Sequence, residues 1–268
     1  MTELIKNWNF VTSGKSDKQP ILFLHGFMGN ANIWRNTIAN LDNDFFCVAI
    51  DLPGHGQTRA DLEYLKFENL ADGLHNFVNT QFTKESILVG YSMGGRIALY
   101  TALKYPDTFK ALVLESSSPG IEDEEERKTR LMRDEKDSAK MKSTDMRSFL
   151  TEWYRMPVFD YLNDFPDLKE KIINKKSSND PQALAEVIVK LSPGTQPSQW
   201  SNLNQWTKPI LIIAGEKDQK YCHIGKKMHA GLANSRLEII PNAGHIVHLE
   251  NHKDFMTVLK SFLASYIL

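Results

Sequence analysis

Ile87-Leu88-Val89-Gly90-Tyr91-Ser92-Met93-Gly94-Gly95-Arg96 joins two kinds of pattern. The apolar run Ile87 to Val89 has the length and composition of a buried strand, and Ile97 to Leu103 has the composition of a helix. Between them Gly90, Ser92 and Gly94 form Gly-x-Ser-x-Gly. A strand that turns sharply into a helix, with serine at the apex, is the context a nucleophilic serine requires. Such a turn is crowded, so residues without side chains must flank it, and Gly90, Gly94 and Gly95 supply the room. The helix starting beside Ser92 also aims unpaired N–H groups at any anion formed there. The plain alternative is a glycine-rich turn with an incidental serine, and the flanking strand and helix weigh against it.

Outward from this stretch, strands and helices alternate. Pro20 to Leu24, Phe45 to Ile50 and Ala111 to Leu114 read as buried strands. Asn30 to Leu41 has helical spacing, with Ile33, Trp34, Ile38 and Leu41 on one face, and Leu65 to Phe82 is again helical. The first 19 residues are polar and strand-capable, ending in a turn at Ser13 to Asp17. This alternation predicts an α/β fold with a mostly parallel central sheet flanked by helices. From Ile121 to Leu203 the rhythm breaks into charged helical segments: Glu122 to Lys142, Asp145 to Tyr154, Leu168 to Lys176 and Pro181 to Leu191. Strands return at Ile210 to Ala214 and Leu237 to Ile240, and a last helix is expected over His252 to Ile267. The expected organisation is a core of residues 1–120 and 204–268, interrupted by a helical cap insertion at residues 121–203.

Composition narrows the function classes. The chain has 268 residues, 41% hydrophobic and 24% charged, as in a globular enzyme. A formal net charge of −1 offers no global basic field for nucleic acid. No run of 18 apolar residues is present to span a membrane, and the N-terminal residues lack the apolar segment of a signal peptide, so a cytoplasmic location is expected. Cys47 and Cys222 are too few for a disulfide framework, and Cys47 reads as a small core residue. No metal-ligand cluster or dinucleotide fingerprint occurs, so no cofactor is implied. Oligomeric state is left open.

A serine needs a base, and the base needs a carboxylate to orient it. Gly215-Glu216-Lys217-Asp218 follows one late strand, and Pro241-Asn242-Ala243-Gly244-His245 follows the other. The order Ser92, Asp218, His245 is one that a Ser–acid–His relay adopts on a parallel sheet, with every member at a strand's carboxyl end. Asp218 competes with Glu216, and its place in the loop favours it. His245 competes with His223, His229, His248 and His252; its position after a strand, behind Ala243-Gly244, favours it, while His248 and His252 are expected to start the last helix. His25 and His55 read as structural loop histidines. The backbone N–H groups of Met93, after the serine, and Phe27, in the loop after Leu24, are the candidate oxyanion donors.

Together, Leu24-His25-Gly26-Phe27-Met28-Gly29, Asp51-Leu52-Pro53-Gly54-His55-Gly56, the Ser92 motif and Gly244-His245 resemble the α/β-hydrolase superfamily across nearly the whole chain. Arg96 after the motif, Ser117-Ser118-Pro119-Gly120, and Trp153-Tyr154-Arg155-Met156-Pro157-Val158-Phe159 resemble one family within it. These are the MenH enzymes, the 2-succinyl-6-hydroxy-2,4-cyclohexadiene-1-carboxylate (SHCHC) synthases of menaquinone (vitamin K2) biosynthesis. The resemblance implies a lyase that eliminates pyruvate from SEPHCHC, the polyanionic enolpyruvyl precursor of SHCHC. It implies proton abstraction by Ser92, His245 and Asp218, oxyanion stabilisation by Phe27 and Met93, and substrate binding by Tyr91, Arg96, Arg130 and Trp153. Lys176 falls at a basic cap position that is often Arg in the family, and a lysine offers a point charge rather than a fork. Plain alternatives stand beside several of these: a salt-bridged helix residue for Arg96, a solvated helix face for Arg130, cap packing for Trp153 and Phe159. For the whole chain the alternatives are a carboxylesterase or C–C bond hydrolase using the same relay, or a binding protein on this scaffold.

Overall fold

The computed structural model describes residues 4–266. The described strands are β1 Ile5–Asn7, β2 Phe10–Ser13, β3 Gln19–Leu24, β4 Phe45–Ile50, β5 Arg59–Ala60, β6 Ser86–Tyr91, β7 Phe109–Glu115, β8 Ile210–Gly215 and β9 Ser235–Ile240. The α-helices are α1 Arg35–Ala39, α2 Phe67–Gln81, α3 Met93–Lys104, α4 Glu124–Ser143, α5 Met146–Trp153, α6 Pro166–Lys176, α7 Pro181–Lys190, α8 Gln219–Gly231, α9 Val247–Glu250 and α10 His252–Leu263. Seven strands form one sheet in the order β2-β4-β3-β6-β7-β8-β9. Every pairing is parallel except the antiparallel edge strand β2 on β4. Because helices cover both faces of a parallel sheet, its strands are apolar on both sides, and β3, β6 and β8 are buried at every position. Alternate residues then feed two cores, Ile21, Phe23, Ile87 and Val89 to one face and Leu22, Leu24, Leu88 and Leu114 to the other.

Between β7 and β8 the chain runs through α4 to α7. Asp123, Asp145 and Asp180 start α4, α5 and α7 by accepting hydrogen bonds from Glu126, Ser148 and Gln182 N–H, the usual work of an N-cap carboxylate. α4 packs on α7 with the Ser138 hydroxyl donating to Ala185 O at 2.7 Å.

Two expected helices differ from the structure. Asn30 to Leu41 is a 3₁₀ turn, Ala31–Trp34, followed by the short α1. The Asn30 side chain caps Asn32 N–H and the buried Asp51 carboxylate takes Ala31 N–H at 2.7 Å, which ties the start of this segment to the loop after β4. The last helix ends at Leu263 in a 3₁₀ turn, and Ile267 lies outside the described residues. His252 does open α10, but His248 sits in the separate turn α9. It is drawn there by Glu115, whose carboxylate accepts His248 N–H at 3.0 Å and Nδ1–H at 2.8 Å with both side chains fully buried. The imidazole also stacks on Trp34, with ring centroids 4.5 Å apart.

His25 and His55 are structural, as expected, and they work as a reciprocal staple. His25, after β3, accepts Leu52 N–H at 2.9 Å, while His55, after β4, accepts Met28 N–H at 3.0 Å. Each uses Nε2 as acceptor and gives its Nδ1 proton to a carbonyl, Gly26 O at 2.8 Å and Pro53 O at 3.1 Å. Both rings must therefore be neutral. Burial is the main cause that lowers them, His25 to about 4 and His55 to about 3.

This fixes a pH dependence. Below the ordinary histidine value the unfolded chain takes up two protons that the folded chain refuses, so stability is full above about pH 6.5 and declines as pH falls toward 3 to 4. The expected slope is about 1.4 kcal/mol per pH unit for each histidine, read from urea unfolding between pH 7 and 4. His55→Gln, which keeps an acceptor but no titrating group, should reduce it by about half, leaving the His25 contribution.

Candidate active site

At the end of β6 the backbone of Ser92 has φ 52° and ψ −111°, a left-handed conformation costly for a side chain and sustained only where neighbours over-determine it. They do. A Cβ on Gly90 would stand 2.5 Å from Gly94 O, and one on Gly94 would stand 2.5 Å from the carbonyl oxygens of Leu24 and His25. Ser92 N–H is held by Glu115 O of β7 at 2.9 Å. The side chain thus leaves the carboxyl edge of the sheet where the loops after β3, β8 and β9 meet.

His245 Nε2 lies 3.1 Å from Ser92 Oγ, and its Nδ1 lies 2.6 Å from Asp218 Oδ2. His245 and Asp218 are both buried. Asp218 also caps α8, accepting Tyr221 N–H at 3.2 Å through its other oxygen, so helix and relay share one carboxylate. Tyr221, Phe159 and Tyr91 pack around the imidazole with ring centroids 4.8, 5.5 and 5.5 Å from it. The rival Glu216 instead pairs with Lys217 in an exposed ion pair. His223 and His229 fall in α8, and His248 is committed to Glu115.

Among the described residues, no hydrogen bond occupies the N–H of Phe27 or of Met93. Both residues line the same cavity as Ser92 and His245. Free, aimed backbone donors beside a serine are what an oxyanion needs.

That cavity holds about 280 Å³. The core supplies its floor with Ser92, Met93, Arg96 and His245, and the helices between β7 and β8 supply its roof with Arg130, Trp153, Met156 and Phe159. Its charge is lopsided. Arg96, Arg130, Arg133 and Lys220 line it against only Asp134 and Asp137. Arg96 is 7% exposed and makes no ion pair among the described residues. It donates to Gln196 Oε1 and Leu191 O, each at 2.9 Å. Burial, then Arg130, lower its pKa to about 10, which leaves it cationic at neutral pH. A buried cation without a counter-charge is expensive unless a ligand supplies one, so a salt-bridged helix residue does not describe Arg96. Nor is Arg130 on a solvated face. Its Nε reaches both oxygens of buried Asp134 at 2.9 Å, and Asp134 takes a further bond from Ser192 Oγ at 2.6 Å. Trp153 lines the cavity and packs on Phe27, centroids 5.6 Å apart.

Two expected substrate contacts lie elsewhere. The Tyr91 ring is buried behind His245, against the space that a Gly26 side chain would fill, and does not line the cavity. Lys176 does not line it either. Its amine turns to the outside of the Phe27 loop, donating to Tyr154 Oη at 2.7 Å and Phe27 O at 3.3 Å. Conversely, Arg133, Lys220 and Tyr221 line the cavity without having been expected there. Arg133 is three residues beyond Arg130 on α4 and so shares its face. Lys220 and Tyr221 follow Asp218 in the first turn of α8. Spacing could have suggested all three.

The chain matches the model of the alpha/beta hydrolase fold family over residues 19–252. It is 32% identical to the 2-succinyl-6-hydroxy-2,4-cyclohexadiene-1-carboxylate synthase of Serratia proteamaculans, a match covering 94% of this chain and 96% of that one. The enzyme of the same name from Citrobacter koseri is 33% identical, over 86% of this chain and 88% of its own. The structure of MenH from S. aureus superposes with a TM-score of 0.92 at 29% identity, covering 98% of this chain and 99% of that one. A thermophilic esterase from Thermogutta terrifontis, at 22% identity and TM-score 0.82, shares the fold. The chain belongs to the α/β-hydrolase superfamily and, within it, to the family of 2-succinyl-6-hydroxy-2,4-cyclohexadiene-1-carboxylate synthases.

Proposed function

We propose that this chain is an SHCHC synthase of menaquinone biosynthesis, a carbon–oxygen lyase that eliminates pyruvate from SEPHCHC. The observation that carries the reading is Arg96, a buried cation with no counter-charge, in a cation-rich cavity beside a connected Ser92–His245–Asp218 relay. The product bears a succinyl and a ring carboxylate, and pyruvate takes a third away. A hydrolase of apolar esters has no use for such a wall. Arg96 and Arg130 bind substrate carboxylates, and Trp153 covers the ring. The helices of residues 121–203 act as a cap over the core. No described helix is long and apolar enough to cross a membrane, which fits a cytoplasmic enzyme acting on a small polyanion.

The reaction needs a base, not an acyl acceptor. His245, oriented by Asp218, draws the hydroxyl proton of Ser92, and the serine oxygen removes a proton from a ring carbon beside a carbonyl. Charge moves to the carbonyl oxygen, where the Phe27 and Met93 amides stabilise it. The electrons return to form the new ring double bond as the carbon–oxygen bond to the enolpyruvyl group breaks. The departing enolate takes up a proton and becomes pyruvate.

Three outcomes are expected. Ser92→Ala should keep its circular dichroism and lose a factor of about 10² or more in pyruvate release, the scale of a positioned acid–base group. Wild-type turnover in a folded variant would remove Ser92 from the mechanism. Arg96→Ala and Arg130→Ala should each lower kcat/KM by about tenfold or more, since a charge-assisted hydrogen bond contributes roughly 1.5–3 kcal/mol; an unchanged value for Arg130→Ala would leave it a wall residue only. Finally, intact-protein mass spectrometry during turnover should find no substrate adduct on Ser92. A transient adduct mapping to Ser92, or p-nitrophenyl acetate turnover without pyruvate release from SEPHCHC, would return the chain to acyl-enzyme hydrolysis.

A further inference from the structure

In the loop Gly26-Phe27-Met28-Gly29 the backbone groups on either side of Phe27 are engaged. Gly26 O accepts from His25 Nδ1 at 2.8 Å and from Gly29 N–H at 3.0 Å. Met28 N–H goes to His55 at 3.0 Å. The next two carbonyls are taken from the opposite side, by the end of α6 and the turn after it: Phe27 O by Lys176 Nζ at 3.3 Å and Met28 O by Asn179 Nδ2 at 3.0 Å. Asn179 N–H closes that turn on Lys176 O at 3.1 Å, so the two donors are held as one unit. Met28 itself has φ 59°, a left-handed backbone in a residue other than glycine. Such a residue keeps its conformation only while its surroundings hold it there.

We propose that Lys176 and Asn179 are positioning residues: a two-point clamp from the helical segment onto consecutive carbonyls of the Phe27–Met28 loop, which keeps Phe27 N–H aimed into the cavity. It rests on the reading of Phe27 as an oxyanion donor. The peptide before Phe27 Cα is fixed by His25 and Gly29. The peptide after it is fixed by His55 on its N–H and Lys176 on its oxygen. With both planes fixed, Phe27 has little torsional freedom left, and its N–H has no partner among the described residues. Without the clamp, Met28 can relax toward ordinary backbone angles and rotate the peptides on either side. The lysine stands on the outside of the loop, buried enough to lower its amine to about 7, with the Tyr154 hydroxyl as its second partner. Lys176 therefore acts on substrate through the loop and not by contact. Trp153 against the Phe27 ring adds a third link between the same two parts of the chain.

Lys176→Met, which keeps the stem and deletes the donor, and Asn179→Ala test this on the full-length protein. Hydrogen exchange at the Met28 amide, followed by NMR in the ligand-free protein, should accelerate by about tenfold or more in each variant, with β6 amides unchanged. In pyruvate release, kcat should fall by about ten- to a hundredfold with KM within about twofold, because transition-state stabilisation is lost and binding is not. Lys176→Arg, which keeps a donor, should recover most of kcat. Unchanged Met28 exchange in both variants overturns the clamp. So does a raised KM at unchanged kcat for Lys176→Met, which would make Lys176 a direct substrate contact. If the unsubstituted chain releases no pyruvate, the proposed reaction fails while the exchange measurement still decides the clamp.

Discussion

Ser92 is held in a backbone conformation that a serine does not choose. β6 lies between β3 and β7, and its carboxyl end must turn at once into α3. The turn fits only because Gly90, Gly94 and Gly95 allow backbone to approach backbone and Ser117 at distances no Cβ would tolerate. The consequence is positional. A serine at the apex of a central strand faces the edge where the loops after β3, β8 and β9 converge. Each partner then arrives from a strand end fixed by the sheet's register: the Phe27 amide, the Asp218 carboxylate, the His245 imidazole. The strained turn is the fixed point, and the geometry of the relay follows from it.

Behind the relay lies a second layer of buried polar groups, and Glu115 is its hinge. Its backbone carbonyl holds Ser92 N–H, and its side chain holds His248 through the backbone and the ring. Tyr91 fills the space between His248 and His245, with centroids 4.9 and 5.5 Å from the two rings. The serine and the imidazole it faces are thus referenced to one residue, Glu115, which does not line the cavity. Buried networks of this kind specify geometry, because a displaced member leaves its partners unsatisfied.

A relay of serine, histidine and aspartate serves many reactions on this fold. What distinguishes this chain is the wall around it. The core side supplies the buried Arg96, which has no counter-charge among the described residues, and the helical side adds Arg130 and Arg133, paired with Asp134 and Asp137. Arg96 is shielded from water and without a counter-charge until an anion enters. In the reaction we propose, a substrate with several carboxylates supplies that charge, and its orientation places a ring proton, rather than an ester carbonyl, before Ser92.

Much of this was legible in the chain itself. Strand β4 begins and ends where the apolar run does, and the other strands of the parallel sheet extend their runs by one to three residues, because buried parallel strands are continuous apolar segments. The relay was legible because each member sits in a loop directly after such a segment, so order along the chain implied meeting in space. Pattern did not reach contacts set by packing between distant parts. Lys176 is a cation at the end of α6, and only the docking of that helix turns its amine onto the Phe27 carbonyl and away from the cavity. Tyr91 neighbours Ser92 in sequence, yet alternation along β6 sends its ring behind His245. Arg130 looked like one more charge on a charged helix until Asp134, Ser192 and the cavity gave its face an inside. Local sequence determined which segments are buried strand, helix or sharp turn, since those depend on neighbours in the chain. Tertiary structure decided which charges face the reaction, because burial of a charge depends on what the fold brings against it.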